Sequence, residues 1–298
     1  MFLFQPRLNI DKINYAKPLM LDANVNGHRK YQKANSNYFM GLKKSLFLFF
    51  LILISKETFS CSCINTPLLE KYQRSDFVAK IKITKVIQDK SNKDYHDIDF
   101  ELISIYKGES INKIKIVSVL NTSCSFLPSE NTTWLIFASR DRNGFLSSGA
   151  CSGSEQIDQT FDLVMYPNLD VKYKESIDLK LEVLEYIKGK KITVDNKFIL
   201  TPTDYRLCLD DLKGYEEKNR FAVYQVIVNR DLSIKNIKVI KRFNNKDLSK
   251  KLTGCLQDNM KISAQNMKVI PEKAKMMIIY FYYLAEKNNQ SFVSIWDL

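Results

Sequence analysis

The sequence predicts a mainly β protein with an α+β part, in which a disulfide-stapled β-barrel is followed by a small α+β domain. Residues 77–87 and 98–106 alternate apolar and polar side chains, as half-buried strands do. All six cysteines lie beyond residue 60. A second series of strand, strand, helix and strand patterns occupies residues 204–298, and the length of the chain is enough for two modest domains.

Residues 40–60 have the layout of a secretory signal peptide. Two lysines precede nine uninterrupted apolar residues at 46–54, and small residues occupy the first and third places before Cys61. The apolar run is too short to span a bilayer, which needs about 20 residues. We therefore expect translation to begin at Met40, cleavage after Ser60, and no transmembrane span in the mature chain.

The first 39 residues do not fit this layout, because they are polar, aperiodic and rich in Asn and Lys. A long cytoplasmic arm before a signal anchor is the alternative interpretation, and the short apolar run argues against it. Residues 1–60 are therefore set aside as a signal region. The expected location is outside the cytoplasm, in the periplasm or cell envelope or in the extracellular space.

The charge of the mature chain is moderate. The whole chain has a formal net charge of +12, and removing residues 1–60, with nine basic and three acidic residues, lowers it to +6. The remaining charges are interspersed rather than grouped, which favours a mixed solvated surface over a nucleic-acid interface. We expect no nucleic-acid partner.

An even number of cysteines behind a signal peptide predicts disulfides formed in an oxidising compartment. Zinc is the competing explanation, but the mature chain has no Cys-x-x-Cys pair and a single histidine, His96. Structural zinc sites are typically built from such close ligand pairs. We expect no metal site and no cofactor, with His96 as a loop residue.

Residues 61–189 have the pattern of a compact β domain. Thr66 is a candidate cap for a short helix with Pro67 at its first position. Apolar residues recur at helical spacing between 177 and 187, and this helix should stop near Gly189. Five or six short strands in a chain of this length favour a small closed barrel of the OB type. The strand candidates are 77–87, 98–106, 114–119, 134–139 and 145–148.

The order of motifs in this domain resembles the tissue inhibitors of metalloproteinases (TIMPs). The specific part of the match is the position of four cysteines, Cys61, Cys63, Cys124 and Cys151. In that family the two N-terminal cysteines pair in order with the two internal ones, so the resemblance implies the disulfides Cys61–Cys124 and Cys63–Cys151. Five further features match in order along the chain. They are a short helix, then the segment 75–78, then a long hairpin, then the segment 106–108, and finally the segment 134–137.

The resemblance also implies a way of binding a protease. In TIMPs, the α-amino group and carbonyl oxygen of the terminal cysteine chelate the catalytic zinc of the target, and the next side chain enters the adjacent pocket. Here these roles fall to Cys61 and Ser62, and Cys63 completes the binding wedge. An α-amino group titrates near 7.7–8.0, so the neutral amine is accessible at neutral pH.

The chain also departs from the animal inhibitors. It lacks their third cysteine pair in the inhibitory domain and their cysteine-rich second domain. The related netrin-like modules have the same paired bridges and serve as plain interaction units. An interaction module without inhibitory activity is therefore the alternative function.

Residues 190–203 form a polar linker, and residues 204–298 form a separate unit with its own core. Strands are expected at 221–229, 233–241 and 275–285, with a helix at 247–260 between the second and the third. This order resembles the C-terminal domain of TonB-like proteins over residues 204–287. Cys208 and Cys255 are expected to form a third bridge, and two buried thiols are the alternative.

Catalysis is not expected. With one histidine in the mature chain, no Ser-His-Asp set can be assembled, and there is no glycine-rich phosphate loop. The sequence therefore predicts an exported protein that binds another protein. The partner is a zinc metalloprotease that it inhibits or, in the alternative, another component of the cell envelope.

Overall fold

The structure is a computed structural model that describes residues 62–120, 122–162, 164–193, 196, 198–264, 270–287 and 289–297. The predicted signal region, the cleavage site and Cys61 lie outside the described residues. The helices are α1 (Leu68–Arg74), α2 (Leu169–Gly189), α3 (Arg206–Asp210) and α4 (Lys246–Asn259). The strands are β1 (Phe77–Gln88), β2 (Tyr95–Lys107), β3 (Lys113–Val117), β4 (Thr133–Arg140), β5 (Leu146–Gly149), β6 (Glu155–Gln156), β7 (Leu200–Thr203), β8 (Phe221–Val228), β9 (Ile234–Lys241), β10 (Lys261–Ala264), β11 (Ala274–Tyr283) and β12 (Phe292–Ser294).

The first five strands form a closed barrel in the order β1-β2-β3-β5-β4, because β4 pairs with both β5 and β1. All neighbours in the ring are antiparallel except β3 and β5, which are parallel. The prediction of a closed, OB-like barrel is confirmed. Its interior is filled by the inward side of the alternating strands: Phe77, Ala79, Ile81, Ile83, Ile98, Phe100, Ile114, Ile116, Ile136 and Ala138.

The long β1–β2 hairpin bends enough to close the barrel because its register shifts at three places. Such bulges bend a strand and increase its twist. Gly108 then ends the hairpin with a φ of +92°. A Cβ at this position would lie 2.6 Å from the carbonyl oxygen of Asp76, so a residue without a side chain is required here.

Helix α1 forms as predicted, but the predicted cap is wrong. Pro67 occupies the N-cap position and no cap hydrogen bond comes from a neighbouring side chain. Instead, Asp297 Oδ1 accepts a hydrogen bond of 2.9 Å from the backbone N–H of Leu68. The cap comes from 229 residues away in the chain, so local sequence could not have indicated it.

The predicted helix before Gly189 is also present. It extends from Leu169 to Gly189 and buries one side, with Ile177, Leu184 and Ile187 among its buried residues.

Residues 204–298 contain a four-stranded antiparallel sheet in the order β12-β11-β8-β9. Helix α4 covers one face, and Asn245 caps its start by accepting from the N–H groups of Asp247 and Leu248. Strand β10 pairs with β7, which lies in the predicted linker. The strand, strand, helix and strand order is therefore confirmed as an α+β arrangement, and β7, α3, β10 and β12 are additions that the pattern did not indicate.

Each region has an apolar core of its own, in the barrel interior and between the second sheet and α4, but the two regions are not separate from each other. A cluster that we call the shared layer joins both regions within one compact unit. On the barrel side it contains residues of α1, α2, β1, β2 and β4, and on the other side it contains one face of β8 and β11. The buried members are Leu68, Leu69, Tyr72, Val78, Tyr106, Leu135, Phe137, Leu179, Val183, Leu184, Ile187, Phe221, Val223, Met277, Ile279 and Phe281. The cause is that the sheet is apolar on both faces, so the face opposite α4 is buried by the barrel's helices.

Candidate protein-binding site at the end of the barrel

The N-terminal segment of the described chain is held at the barrel surface by one disulfide. Cys63 is bonded to Cys151, with 5.1 Å between their Cα atoms and 88 residues between them in sequence. Ser62, Cys63 and Ile64 are all exposed, and Ile64 has 87% of its surface accessible. These residues form an exposed strip whose backbone is fixed by a covalent bond.

The strip lies at the same end of the barrel as the loop that follows β3. Cys151 comes two residues after Gly149, the last residue of β5, and Gly149 pairs with Val117, the last residue of β3. The loop after β3 therefore starts close to the bridge. Its exposed apolar side chains are Val119, Leu120 and Leu127.

This loop is ordered by its own hydrogen bonds. The Oγ of buried Ser118 accepts from the N–H of Phe126 at 2.9 Å, and Thr122 Oγ1 donates to the carbonyl of Val119 at 2.7 Å. Phe126 packs edge-on against Trp134, with 5.4 Å between ring centroids. The loop is therefore a defined surface beside the N-terminal strip.

Cys124 lies in this loop and is disulfide-bonded. Its N–H donates to Thr122 Oγ1 at 3.1 Å. Because Cys61 lies outside the described residues, the pairing Cys61–Cys124 and the metal-chelating role of Cys61 stay predictions.

The segment that carries Cys151 is also firmly anchored. The hydroxyl groups of Ser148, Ser152 and Ser154 are mutually hydrogen-bonded at 2.9 Å, and Ser154 Oγ accepts from the N–H of Phe137 in β4. Gly153 has a φ of +79°, and a Cβ there would lie 2.7 Å from Cδ of Lys71. Glycine thus allows the Lys71 side chain to lie across this segment.

Four charged side chains meet behind the segment and join the barrel to the C-terminal tail. Lys180 Nζ lies 2.6 Å from Glu155 and 3.7 Å from Asp297, and Lys71 Nζ lies 3.6 Å and 3.4 Å from the same two carboxylates. All four side chains are largely buried, with Asp297 only 4% exposed. Two positive and two negative charges balance, as buried ions require. No sequence motif indicated this group, because its members come from α1, β6, α2 and the last residues of the chain.

Two titratable groups of the barrel, Tyr106 and Asp89, have strongly shifted pKa values. Burial, followed by the charge of Glu185, raises the pKa of Tyr106 to about 12. The pKa of Asp89 is lowered mainly by a hydrogen bond from Lys115 Nζ and then by Ser91. No three His, Cys, Asp or Glu residues in the described part of the chain are placed to hold a metal ion.

His96 is not a loop residue, and that prediction is corrected. It lies in β2 at 3% exposure, and its Nδ1 has no hydrogen-bond partner in the structure. The physical reason is the alternation of β2, which turns His96 to the same side as the buried Ile98 and Phe100.

The two remaining cysteines, Cys208 in α3 and Cys255 in α4, form a disulfide, so they are not two buried thiols. Their Cα atoms are 5.4 Å apart. Two disulfides with both partners described are typical of proteins of oxidising, non-cytoplasmic compartments.

Comparison with known proteins does not assign this chain to a family. No protein-family model matches the chain, and no curated protein matches it. Among the residues that the structure describes, none of the helices combines the length and apolar character needed to cross a membrane.

Proposed function

We propose that this chain is an exported protein-binding protein that inhibits a metalloendopeptidase through its mature N-terminus. One observation carries the proposal: the Cys63–Cys151 bridge holds an exposed N-terminal strip beside an ordered, apolar loop at one end of a closed barrel. In the resemblance to TIMPs, a strip in this position is the part that enters the active site of a protease.

The proposed chemistry uses backbone groups of the first mature residue. The neutral α-amino group and the carbonyl oxygen of Cys61 would be the two ligands of the protease zinc, whose catalytic site keeps an open position. The bridge at Cys63 fixes the neighbouring backbone before binding, which reduces the ordering cost of association. Ser62 is small and exposed, as suits a side chain that enters a pocket next to the zinc.

The test uses the chain 61–298, because the shared layer makes the isolated barrel an unsuitable sample. We expect it to slow the hydrolysis of a fluorogenic peptide by a zinc endopeptidase at stoichiometric concentration. One alanine added ahead of Cys61 should abolish inhibition, since it converts the amine into an amide and displaces the carbonyl. Ser62→Gly should weaken inhibition only in part.

Correct folding of the alanine-extended protein is checked by its thermal unfolding, which should equal that of the parent. Inhibition that is indifferent to the added alanine would contradict chelation by Cys61. An absence of inhibition across several zinc endopeptidases would favour the second candidate.

The second candidate is a non-inhibitory interaction module of the cell envelope. The observation in its favour is the set of exposed apolar side chains on this surface, led by Ile64 and Leu120, which can bind a protein without any zinc. The proposed TonB-like character of residues 204–287 suits this role as well. It is supported by the order of β8, β9, α4 and β11 along the chain.

A further inference from the structure

The net positive charge of the expected mature chain is concentrated in one short segment. Residues 230–251 contain eight basic and two acidic residues, whereas the rest of residues 61–298 contains 28 of each. We expected interspersed charges throughout the mature chain, and this segment is the exception. Its basic residues are Arg230, Lys235, Lys238, Lys241, Arg242, Lys246, Lys250 and Lys251.

The segment forms a continuous surface on the second region, which we call the basic ribbon. It includes β9, which is the edge strand of the four-stranded sheet, then the turn 242–245 and the first turns of α4. Helix α4 packs onto β9, because Leu248 and Leu252 belong to the same core cluster as Ile237. The strand and the helix therefore hold the basic residues on one rigid scaffold.

Seven of the eight basic residues are exposed, and only Lys241 is half-buried. Lys241 Nζ lies 3.9 Å from a carboxylate oxygen of Glu182 and 3.2 Å from the centroid of the Phe221 ring. Among the described residues, no other basic side chain of the ribbon forms an ion pair. Seven positive charges are therefore available to an external anion.

The carboxylates nearest in the chain do not neutralise the ribbon. Asp231 accepts hydrogen bonds from the N–H and the hydroxyl group of Ser233. Asp247 lies in the first turn of α4, where the helix dipole favours a negative charge. Glu217 Oε2 accepts from the N–H of Asn245 at 2.7 Å. These three carboxylates are thus held by backbone groups and hydroxyls, and the surplus of positive charge remains.

Protection of the sheet edge explains only part of the ribbon. Lysines on an edge strand discourage pairing with another chain, and Lys235 and Lys238 can serve that purpose. Arg242, Lys246 and Lys250 lie beyond the strand, where there is no edge to protect. Lys246 and Lys250 are four residues apart, so they share one face of α4. The continuation of the charge from strand to helix points to a ligand.

We propose that the basic ribbon binds a linear acidic polysaccharide through the carboxylates along its chain. Strand β9 alone is about 25 Å long, so several sugar units can be contacted at once. Six of the eight basic residues are lysines, whose flexible point charges adapt to such a chain, whereas the planar arginine fork suits phosphate. The site is separate from the N-terminal strip of the proposed function.

The other side chains of the ribbon favour a polysaccharide over a membrane or a nucleic acid. No large apolar side chain of residues 230–251 is exposed, so the ribbon has no anchor to insert into a lipid surface. Its one aromatic residue, Phe243, is 1% exposed and offers no platform on which bases could stack. What the ribbon presents to a ligand is charge alone.

The experiment uses the chain 61–298 and a fluorescein-labelled decamer of galacturonic acid. Binding is measured by fluorescence anisotropy in about 50 mM NaCl and again in about 500 mM NaCl. We expect saturable binding that is at least about tenfold weaker at the higher concentration, because salt screens exposed charges.

The protein-side variant replaces three exposed lysines of the ribbon by glutamine, namely Lys235, Lys238 and Lys246. It should bind the decamer at least about tenfold more weakly, because three favourable charge contacts are lost. The matched control replaces three exposed lysines elsewhere by glutamine, namely Lys85, Lys174 and Lys275. It lowers the net charge equally and should weaken binding less than about twofold. Both variants should unfold at the temperature of the parent, since exposed substitutions change stability little.

No saturable binding, or equal losses in the two variants, would overturn the proposal. Displacement of the decamer by phosphatidylglycerol vesicles or by duplex DNA, at a concentration of charge about tenfold below that of unlabelled decamer, would also overturn it. The ribbon would then belong to a membrane or a nucleic acid. The alanine-extended protein should bind the decamer normally and the ribbon variant should inhibit normally, so this site and the inhibitory one can fail independently.

Discussion

The barrel interior and the shared layer are both apolar and buried, but they are built from different parts of the chain. The interior is formed by strands between Phe77 and Ala138, so all of its buried members come from one continuous stretch of the chain. The shared layer brings Leu68 and Leu135 together with Phe221 and Phe281. The comparison teaches that one stretch of the chain is enough to build the barrel, whereas its union with the second sheet depends on contacts across more than half of the chain.

The charged groups show the same contrast. On the barrel surface, Lys115 bridges Asp89 and Asp97 at 2.8 Å each, within the β2–β3 neighbourhood. Behind the shared layer, Lys71 and Lys180 hold Asp297 from the far end of the chain. The side chain of Asp97 is 47% exposed and that of Asp297 is 4% exposed, and exposed ion pairs contribute less to stability than buried ones, which are costly to break. The region joined by distant contacts should therefore be the more sensitive one.

The largest expected effect comes from Phe221→Ala in the shared layer. Removing this buried ring should lower the free energy of unfolding by about 3–5 kcal/mol. Because both regions share the layer, unfolding followed by Trp134 in the barrel and by Trp296 near the C-terminus should shift together. The measurement is the tryptophan fluorescence of two single-tryptophan proteins, one with Trp134 and one with Trp296, during titration with denaturant.

The control for this experiment is Phe145→Ala, an exposed phenylalanine that should change stability by less than about 0.5 kcal/mol. A shift of the Trp296 transition alone, with the Trp134 transition unchanged, would break the comparison. It would show that the two regions unfold independently.

A smaller loss is expected for Asp297→Ala. The substitution leaves Lys71 and Lys180 with one carboxylate between them and removes the cap from the Leu68 N–H. Breaking a buried ion pair and a helix cap should together cost about 3 kcal/mol. Asp297→Asn keeps the acceptor for Leu68 without the charge, so it should lose less. If both variants unfold like the parent in urea, the charged group has no part in holding the tail.

The sequence allowed much of the fold to be predicted, for reasons that particular residues illustrate. Alternation in β1 and β2 and the helical spacing before Gly189 are local signals, and the corresponding elements are present. The cap on α1 was predicted wrongly because Asp297 is remote in sequence. The burial of His96 was missed because its polar neighbours suggested a loop, although β2 already extends through it.

The candidate sites were predictable to different degrees. The resemblance to TIMPs implied the Cys63–Cys151 bridge that holds the N-terminal strip, because the match depends on the positions of four cysteines. The cavity that α1, residues 199–202 and the middle of β11 line had no signal in the sequence, because its walls come from parts of the chain that are far apart in sequence.

The smallest expected effect is a pH dependence on the barrel surface. The hydrogen bond from Lys115, with a further contribution from Ser91, lowers the pKa of Asp89. A carboxylate whose folded-state pKa is depressed stabilises the fold above its unfolded pKa of about 3.9, and this contribution is lost as the pH falls through the folded value. Lys115→Met should therefore raise the pKa of Asp89 towards its ordinary range, as measured by carboxyl NMR titration.

The matched control is Lys113→Met. Lys113 lies in β3 like Lys115 but is paired with Asp99 of β2, so its removal should leave the pKa of Asp89 unchanged. Equal shifts in the two variants would mean that general charge, rather than the bond from Lys115, sets the pKa of Asp89, and the local character of the barrel's ion pairs would then be refuted.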